Sequence, residues 1–353
     1  MPVMPAAIGR RRAYRLALTP STRVLWRGPD RLQLELGSRA VVVDGLDAAT
    51  VSELVHGDAQ SSAENRDVFD VLHRAGFLTR LQPPRADPDA AGSVTTASTT
   101  TASVTSALLA PDLAALGARF GERAADVLTA RGQRRVAVHG GGRLPALIGS
   151  LLAAAGVGYV HVSEFGDVRL RDAIPGGLCA DDEGARMAVA VSAAIRRAAP
   201  AVNSSSSSSQ PADLVVVTTG APVPRPLAVS FAHAGQPHLV TGVWGAAAVV
   251  GPLVVPGRTS CLQCADLQRR DRDPAWPALA AQLAASPRDR APSDVCICSL
   301  AAAVTALQCL SFLDGELPAT IEGTLELALP DWRLRRRSWP IHPDCRCASS
   351  LAG

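Results

Sequence analysis

The sequence contains no lysine, since all 35 of its basic residues are arginines. This absence excludes mechanisms that need a lysine side chain, such as a Schiff base or the lysine of a phosphate-binding loop. Aromatic residues make up only 4% of the 353 residues, which argues against a base-stacking platform or a carbohydrate groove. The net charge of +3 is too small for the strongly basic footprint of a nucleic-acid-binding domain.

The sequence also lacks a stretch with the pattern of a signal peptide or a membrane span. Its first residues carry arginines, but no apolar run of suitable length follows them. The most apolar uncharged stretch, 239–256, is interrupted by three glycines and by Pro252, and its valine-rich pieces predict buried strands. We therefore expect a cytoplasmic protein without membrane or nucleic-acid partners, whose eight cysteines are metal ligands or core residues rather than disulfides.

Composition divides the chain into three parts. Residues 81–110 are rich in proline, alanine and threonine without apolar periodicity, which predicts a linker. Residues 1–80 combine an antiparallel meander with helices, a pattern that favours a small α+β winged-helix domain, with a generic α+β module as the alternative. Residues 111–353 alternate strands and helices, which predicts an α/β, Rossmann-like domain with a mostly parallel sheet. Within it, 203–210 is expected to be a serine-rich loop.

A glycine-rich turn lies between a predicted strand and a predicted helix. Gly140, Gly141 and Gly142 stand where backbone N–H groups can bind a phosphate, and Glu164 stands where an acidic residue would bind a ribose. Pro145 replaces the third glycine of the G-x-G-x-x-G pattern and removes a donor. The pattern therefore favours a degenerate nucleotide site, with Gly140, Gly142 and Glu164 as its residues and ATP as a doubtful cofactor.

Four cysteines form two close pairs, a C-x-x-C of Cys261 and Cys264 and a C-x-C of Cys345 and Cys347. Two pairs of thiolates match a closed tetrahedral site, so we predict a structural zinc that fastens the C-terminal tail to the domain core. Replacement of one thiolate by His342 and a redox function of the C-x-x-C are the alternatives.

The other motifs are interpreted as structural. Cys296 and Cys298 are a rival second pair, but residues two apart on a helix point to different faces. We therefore expect both, together with Cys179 and Cys309, to be small core residues. The alternating charges of Arg269–Asp273 predict a solvated helix end, with peptide or phosphate binding by these arginines as the alternative.

Three stretches give the sequence a family resemblance: Gly251–Leu283 with its C-x-x-C, Leu313–Gly315, and the closing His342–Cys347. They resemble ThiF-type, ubiquitin-activating-like partner proteins of thiazole/oxazole cyclodehydratases, which occur in the biosynthesis of bacteriocins and other azoline-modified peptides. The resemblance implies that the small domain is a peptide clamp, or RiPP recognition element, for the leader of a ribosomal precursor. A separate YcaO-type cyclodehydratase would carry out the ATP-dependent chemistry.

Leader capture in the resembled family is strand addition to the edge of the small sheet. This implies that Val41 and Val42 lie beside the peptide main chain, and that Val68, Val71 and Leu72 of the following helix contact its side chains. The alternative for these residues is that they fill the core of their own domain.

The sequence departs from adenylating relatives, which the resemblance implies use an aspartate beside the nucleotide and Mg²⁺. Thr218 and Thr219 stand after the strand where that aspartate is expected, and Mg²⁺ normally needs a carboxylate anchor. We therefore expect a recognition protein without catalytic residues. A homodimer is a possible assembly. The alternative function is a ThiF-like enzyme that activates a C-terminal carboxylate as acyl-AMP.

Overall fold

The computed structural model divides the chain into two compact units, residues 1–94 and 95–353. The structure describes residues 16–18, 22, 24–29, 31–34, 40–59, 65–74, 77–80, 101–120, 123–163, 166–205, 210–219, 222–244, 247–285, 294–328, 331 and 333–347.

The first unit is a small α+β module. Its elements are β1 (Leu16–Leu18), β2 (Val24–Trp26), β3 (Arg31–Leu34), β4 (Val41–Asp44), α1 (Ala48–His56), α2 (Arg66–Arg74) and β5 (Leu78–Arg80). Strands β2, β3 and β4 form an antiparallel meander in that order, and β1 pairs with β5. Asp47 caps α1 by accepting a hydrogen bond of 2.7 Å from the Thr50 N–H. The predicted meander is present, while the assignment of this unit as a winged helix stays a prediction.

The second unit alternates helices and strands. Its elements are α3 (Thr101–Phe120), α4 (Ala124–Arg131), β6 (Arg135–His139), α5 (Leu144–Ala154), β7 (Tyr159–Ser163), α6 (Met187–Ala198), β8 (Asn203–Ser205), β9 (Leu214–Val217), α7 (Arg225–His233), β10 (His238–Trp244), β11 (Ala247–Val254), α8 (Leu262–Arg272), α9 (Trp276–Ala285), α10 (Val295–Leu313), β12 (Gly323–Ala328) and β13 (Leu334–Ser338).

These strands form one eight-stranded sheet in the order β13-β12-β11-β10-β9-β6-β7-β8. Strands β10, β9, β6, β7 and β8 are parallel to one another. Strands β10, β11, β12 and β13 form an antiparallel meander. The fold is therefore α/β and Rossmann-like with a mostly parallel sheet, as predicted. Chain order reverses between β6 and β9, and open α/β sheets bind their ligands at such a point.

A continuous apolar core joins the parallel and antiparallel parts of this sheet. It runs from Val136 of β6 through Leu152 of α5 and Ala302 of α10 to Leu325 of β12. Beside it, Arg131 donates two hydrogen bonds to the Asp314 carboxylate, of 2.8 Å and 2.7 Å, and both side chains are buried. Asp314 belongs to the Leu313–Gly315 motif, so this motif ties the end of α10 to the end of α4.

Two segments differ in the structure from the sequence prediction. Helix α3 begins at Thr101, so residues 101–110 of the predicted linker are helical, and the helix continues through Pro111. Residues 203–205 form strand β8 beside β7, because they pair with 159–161 in a parallel ladder. The remainder of the predicted linker, 81–100, lies outside the described residues.

Helix α10 alone among the described helices is long and apolar enough to cross a membrane. Such a helix is weak evidence of a membrane span, because the core helix of a soluble protein passes the same test. In α10 the inward side chains, such as Ile297, Ala301 and Ala302, belong to the core on the sheet.

Candidate metal centre and glycine turn

The structure brings the two predicted cysteine pairs together. Cys261 caps α8, Cys264 lies in its first turn, and Cys345 and Cys347 approach from the C-terminal segment. The sulfur of Cys261 lies 3.8 Å from that of Cys264 and 3.5 Å from that of Cys345, and the Cys264 and Cys347 sulfurs are 3.3 Å apart. All four sulfurs lie within 4.8 Å of one another.

These sulfurs fit a structural zinc ion. Zn–S bonds of about 2.3 Å in a tetrahedron place neighbouring sulfurs about 3.8 Å apart, close to the observed separations. The donor set is four thiols without a carboxylate, which suits zinc rather than magnesium or calcium. Four protein ligands leave no open position, so an ion bound here would be structural rather than catalytic.

Hydrogen bonds within the cluster favour one thiolate before any metal binds. The hydrogen bond between the Cys261 and Cys264 sulfurs lowers the pKa of Cys264 to about 4 and raises the pKa of Cys261. Burial raises the pKa of Cys347 to about 12. Metal binding must therefore displace protons from the cluster, and metal affinity falls as the solution becomes more acidic.

His342 supports the cluster without joining it. Its Nδ1 accepts a hydrogen bond of 3.1 Å from the Asp344 N–H, so Nε2 carries the proton and donates to Asp271 over 2.7 Å. The backbone N–H of His342 also donates to the Cys264 sulfur. The alternative in which His342 replaces a thiolate therefore has no support, because both ring nitrogens are engaged elsewhere.

Arg269 departs from the predicted solvated helix end. Its guanidinium lies 4.5 Å from the ring centroid of Trp339 and 5.1 Å from that of Trp276, and it pairs with Asp266 at 3.1 Å. Cation–π stacking of this kind holds α8 against α9 and the segment after β13. This stack could not be predicted from the local pattern, because Trp339 lies 70 residues further along the chain than Arg269.

The remaining cysteines divide into two groups. Cys298 and Cys309 are buried in α10, as expected for small core residues. The same expectation is wrong for Cys179 and Cys296, which are exposed. Cys296 and Cys298 lie two residues apart on one helix, so they do not form a second ligand pair.

The glycine turn lies at the point where chain order reverses, but its first glycine serves the protein's own packing. Gly140 has a φ of 124°, and a Cβ added to it would lie 2.2 Å from the Thr218 hydroxyl. Thr218 follows β9, is buried, and donates to the His139 carbonyl oxygen from its N–H at 2.8 Å and its hydroxyl at 3.2 Å. The absence of a side chain at Gly140 therefore makes room for the Thr218 side chain, directly after the neighbouring strand β9.

The other described residues of the predicted nucleotide site show no arrangement around a common ligand position. Gly142 has a φ of 79°, and open space surrounds the position of an added Cβ. Pro145 lies in the first turn of α5, as predicted. Arg143, at the start of α5, donates to the Arg171 carbonyl oxygen over 2.8 Å. Glu164 lies outside the described residues, so the predicted ribose contact has no structural account.

The predicted peptide-binding residues differ in exposure. Strand β4 is an edge of the small meander among the described strands. Val42 is 42% exposed and Val71 is 50% exposed, whereas Val41 and Val68 are half-buried and pack against the core of this unit. Leu72 is fully buried in that core, so it has no surface on which a peptide could bind. The prediction that Leu72 contacts the peptide is therefore wrong.

No protein-family model matches the sequence, and no curated protein matches it either. Solved structures match in fold. MccB of E. coli with succinimide has a TM-score of 0.58 at 15% identity, covering 95% of this chain and 99% of MccB. The chain shares the ThiF-like fold of MccB. PaaA matches with a TM-score of 0.53 at 16% identity, covering 77% of this chain and 90% of PaaA.

MccB is a microcin C7 biosynthetic enzyme, and its structures include complexes with ATP, with AMPCPP and MccA, and with N-formylated MccA. The complex with ATP matches this chain with a TM-score of 0.56 at 16% identity, covering 94% of this chain and 99% of MccB. At such low identity the likeness establishes the fold alone.

Proposed function

We propose that this protein binds the leader segment of a ribosomal precursor peptide and presents the peptide to a YcaO-type thiazole/oxazole cyclodehydratase. The observation that carries the proposal is the free edge of the small meander, where β4 has no further neighbour among the described strands. An added peptide strand gains main-chain hydrogen bonds there, and Val42 and Val71 offer exposed apolar surface. The MccB complexes with MccA support peptide binding by this fold.

The proposed role is recognition without adenylation. The chain has no lysine, and Thr218 and Thr219 follow β9 where an aspartate would anchor Mg²⁺. Thr218 also packs against Gly140, so this part of the turn serves the contact between β6 and β9. The zinc site then has the structural task of fastening the C-terminal segment to α8.

Adenylation of a peptide carboxylate is the second candidate. The MccB complexes with ATP and AMPCPP favour it, and so does the open space beside Gly142. The two candidates share peptide binding and differ in whether the protein forms an acyl-AMP.

The test of peptide binding uses the full chain and fluorescein-labelled synthetic leaders of the precursor genes beside its own gene. Proline is placed separately at Val41 and at Val42, because adjacent residues of a strand direct their N–H groups to opposite sides. We expect one of these prolines to weaken binding strongly in fluorescence anisotropy. Threonine at the same position keeps the N–H and the strand propensity, so the matched threonine variant should bind as the wild type does.

Zinc content should be unchanged in the proline variants, because β4 and the cysteine cluster belong to different units. An unchanged circular dichroism spectrum is the control that the variants are folded. Absence of binding to every such leader by the wild type contradicts the proposal. If both proline variants bind the leader as tightly as the wild type does, the peptide binds elsewhere and the β4 edge is not its site.

A further inference from the structure

Strand β13 is an exposed edge of the large sheet. It pairs with β12 on one side and has no further neighbour among the described strands. All five of its residues are exposed, whereas β8, at the other end of the sheet, has one buried and one half-buried residue among its three. An edge strand whose main chain is uncovered can accept a further strand.

The ladder with β12 determines which main-chain groups of β13 point outward. The Trp339 N–H donates to the Glu322 carbonyl oxygen over 2.8 Å, so these two residues form a hydrogen-bonded pair. Hydrogen-bonded and non-hydrogen-bonded pairs alternate in an antiparallel ladder, so Arg335 and Arg337 direct their main-chain groups toward β12. The alternate residues of the strand direct their N–H and C=O groups away from β12: Leu334, Arg336 and Ser338.

This edge concentrates positive charge. Residues 331–338 contain four arginines and one aspartate, so their net charge of +3 equals that of the entire chain. The side chains of Arg335 and Arg337 project from the same face, about 7 Å apart along the strand, and are 56% and 45% exposed. Arg335 pairs with Asp331 and Arg337 pairs with Glu326, but a guanidinium has five donors and can bind a second carboxylate.

Arg336, on the opposite face, serves the fold. Its guanidinium donates to the carbonyl oxygens of Ala319 and Ile321, over 2.8 Å and 2.9 Å. The side chain of Arg336 therefore fastens the strand, while its main chain faces outward and its two neighbours present their charge.

We propose that β13 accepts an extended acidic segment of a partner protein as an additional antiparallel strand, with carboxylates at alternate residues opposite Arg335 and Arg337. In that register the outward main-chain groups of β13 form the ladder, and the two arginines lie in non-hydrogen-bonded pairs, where facing side chains are closest. Opposite charges across such a pair stabilise the ladder. This inference concerns a different edge from β4 and does not depend on leader binding.

The charge of β13 disfavours two other occupants. A second copy of β13, paired about Arg336, would place arginines opposite arginines, and like charges directly opposite destabilise a ladder. Single-stranded nucleic acid binds through aromatic side chains on which its bases stack, but Trp339, which adjoins the strand, is only 2% exposed. An acidic peptide complements both the charge and the main chain of this edge.

The first test uses the full-length protein and a fluorescein-labelled synthetic peptide of about ten residues in which threonine and glutamate alternate. Fluorescence anisotropy at about 100 mM ionic strength should show binding. The peptide with glutamine in place of glutamate should bind about 10-fold more weakly, because it loses the charge pairs across the ladder. The peptide with proline in place of threonine keeps the charge but lacks the N–H donors of the ladder, so it should also bind weakly.

The second test changes the charge of the strand. Arg335→Glu and Arg337→Glu each replace an attraction by a repulsion, so each should weaken binding of the threonine–glutamate peptide by about 10-fold. Arg225→Glu is the matched control, because Arg225 is exposed at the start of α7, and this variant should bind as the wild type does.

The third test addresses main-chain pairing at Arg336. Arg336→Thr loses the guanidinium but keeps the N–H, whereas Arg336→Pro loses both, so only the proline variant should lose most of the binding. An edge strand tolerates proline where the N–H faces solvent, and the circular dichroism spectrum checks that both variants fold. In the wild type, the peptide should slow hydrogen exchange of the Arg336 and Ser338 amides.

Absence of binding by the threonine–glutamate peptide overturns the proposal, as does equal binding by its glutamine or proline counterpart. The arginines would then only protect the edge from self-pairing. A loss in Arg225→Glu as large as that in Arg335→Glu also overturns it. Tighter binding of a labelled thymidine decamer that is lost in Arg335→Glu and Arg337→Glu would assign the strand to nucleic acid instead.

Discussion

The cysteine cluster and the glycine turn both lie where the chain enters a helix, but they differ in what their neighbours supply. At the cluster, the second cysteine pair, the His342 N–H and the start of α8 all converge on the same sulfurs. At the turn, Thr218 of the neighbouring segment occupies the space that Gly140 leaves open. A short motif therefore indicates a ligand only when the residues that surround it supply the remaining contacts.

The largest expected effect comes from removing one zinc ligand. Cys345→Ser should reduce bound zinc from one equivalent to near zero, because a structural zinc contributes about 10 kcal/mol or more through its complete ligand set. Metal analysis of protein purified without chelators measures this, and proteolysis of the C-terminal segment reports its release. Cys296→Ser is the matched control and should keep its zinc, since Cys296 lies outside the cluster.

Loss of zinc from Cys296→Ser with retention in Cys345→Ser would contradict the ligand set. Absence of zinc from the wild type would contradict the site itself.

The two glycines of the turn should differ in their tolerance of alanine. Gly140→Ala places a Cβ against the Thr218 hydroxyl in a left-handed conformation, which should lower the free energy of unfolding by about 2–3 kcal/mol. Gly142→Ala adds only the backbone strain, about 1 kcal/mol. Urea denaturation measures both, and Thr218→Ala should partly rescue Gly140→Ala. Equal losses at the two glycines would show that Thr218 does not make the difference.

These regions also show how far the sequence alone could go. The four cysteines could be predicted as ligands because two close pairs of cysteines match the spacing of a structural zinc site. The contact between Gly140 and Thr218 could not, because it depends on the register of β6 against β9, which the local pattern does not specify. The peptide contact predicted for Leu72 is wrong for a related reason, because helical spacing shows which residues share a face but not which neighbour covers that face.

A smaller effect is expected at the His342 side chain, which fastens the C-terminal segment to α8 by donating to Asp271. His342→Ala keeps the backbone N–H that donates to Cys264 but loses this tie, so zinc binding should weaken by about 10- to 100-fold without being abolished. Competition with a chromophoric chelator measures the affinity. His342→Gln keeps a side-chain donor and should recover part of it. Complete loss of zinc in His342→Ala would instead make His342 a ligand.

The smallest predicted effect is the pH dependence of stability that the buried His238 contributes. His238 of β10 is 2% exposed, and burial lowers its pKa below 6.5. As the pH falls below 6.5, the unfolded chain binds this proton before the folded chain does, so stability decreases by up to about 1.4 kcal/mol per pH unit. His238→Asn removes the titration and should make the profile of zinc-saturated protein flatter in urea denaturation between pH 7.5 and 5.5. An unchanged slope would contradict this assignment.

The proposed function is peptide recognition without adenylation, and the contact of Thr218 with Gly140 in the glycine turn is one of the observations that support the absence of adenylation. ATP–pyrophosphate exchange tests this claim most directly, with zinc-loaded full chain, Mg²⁺, ATP and each synthetic precursor peptide that the protein binds. The account predicts exchange no greater than that of a reaction without protein. Exchange that depends on both the peptide and Mg²⁺, and that survives in Cys296→Ser but not in Gly142→Ala, would contradict it and assign an adenylating function to the turn.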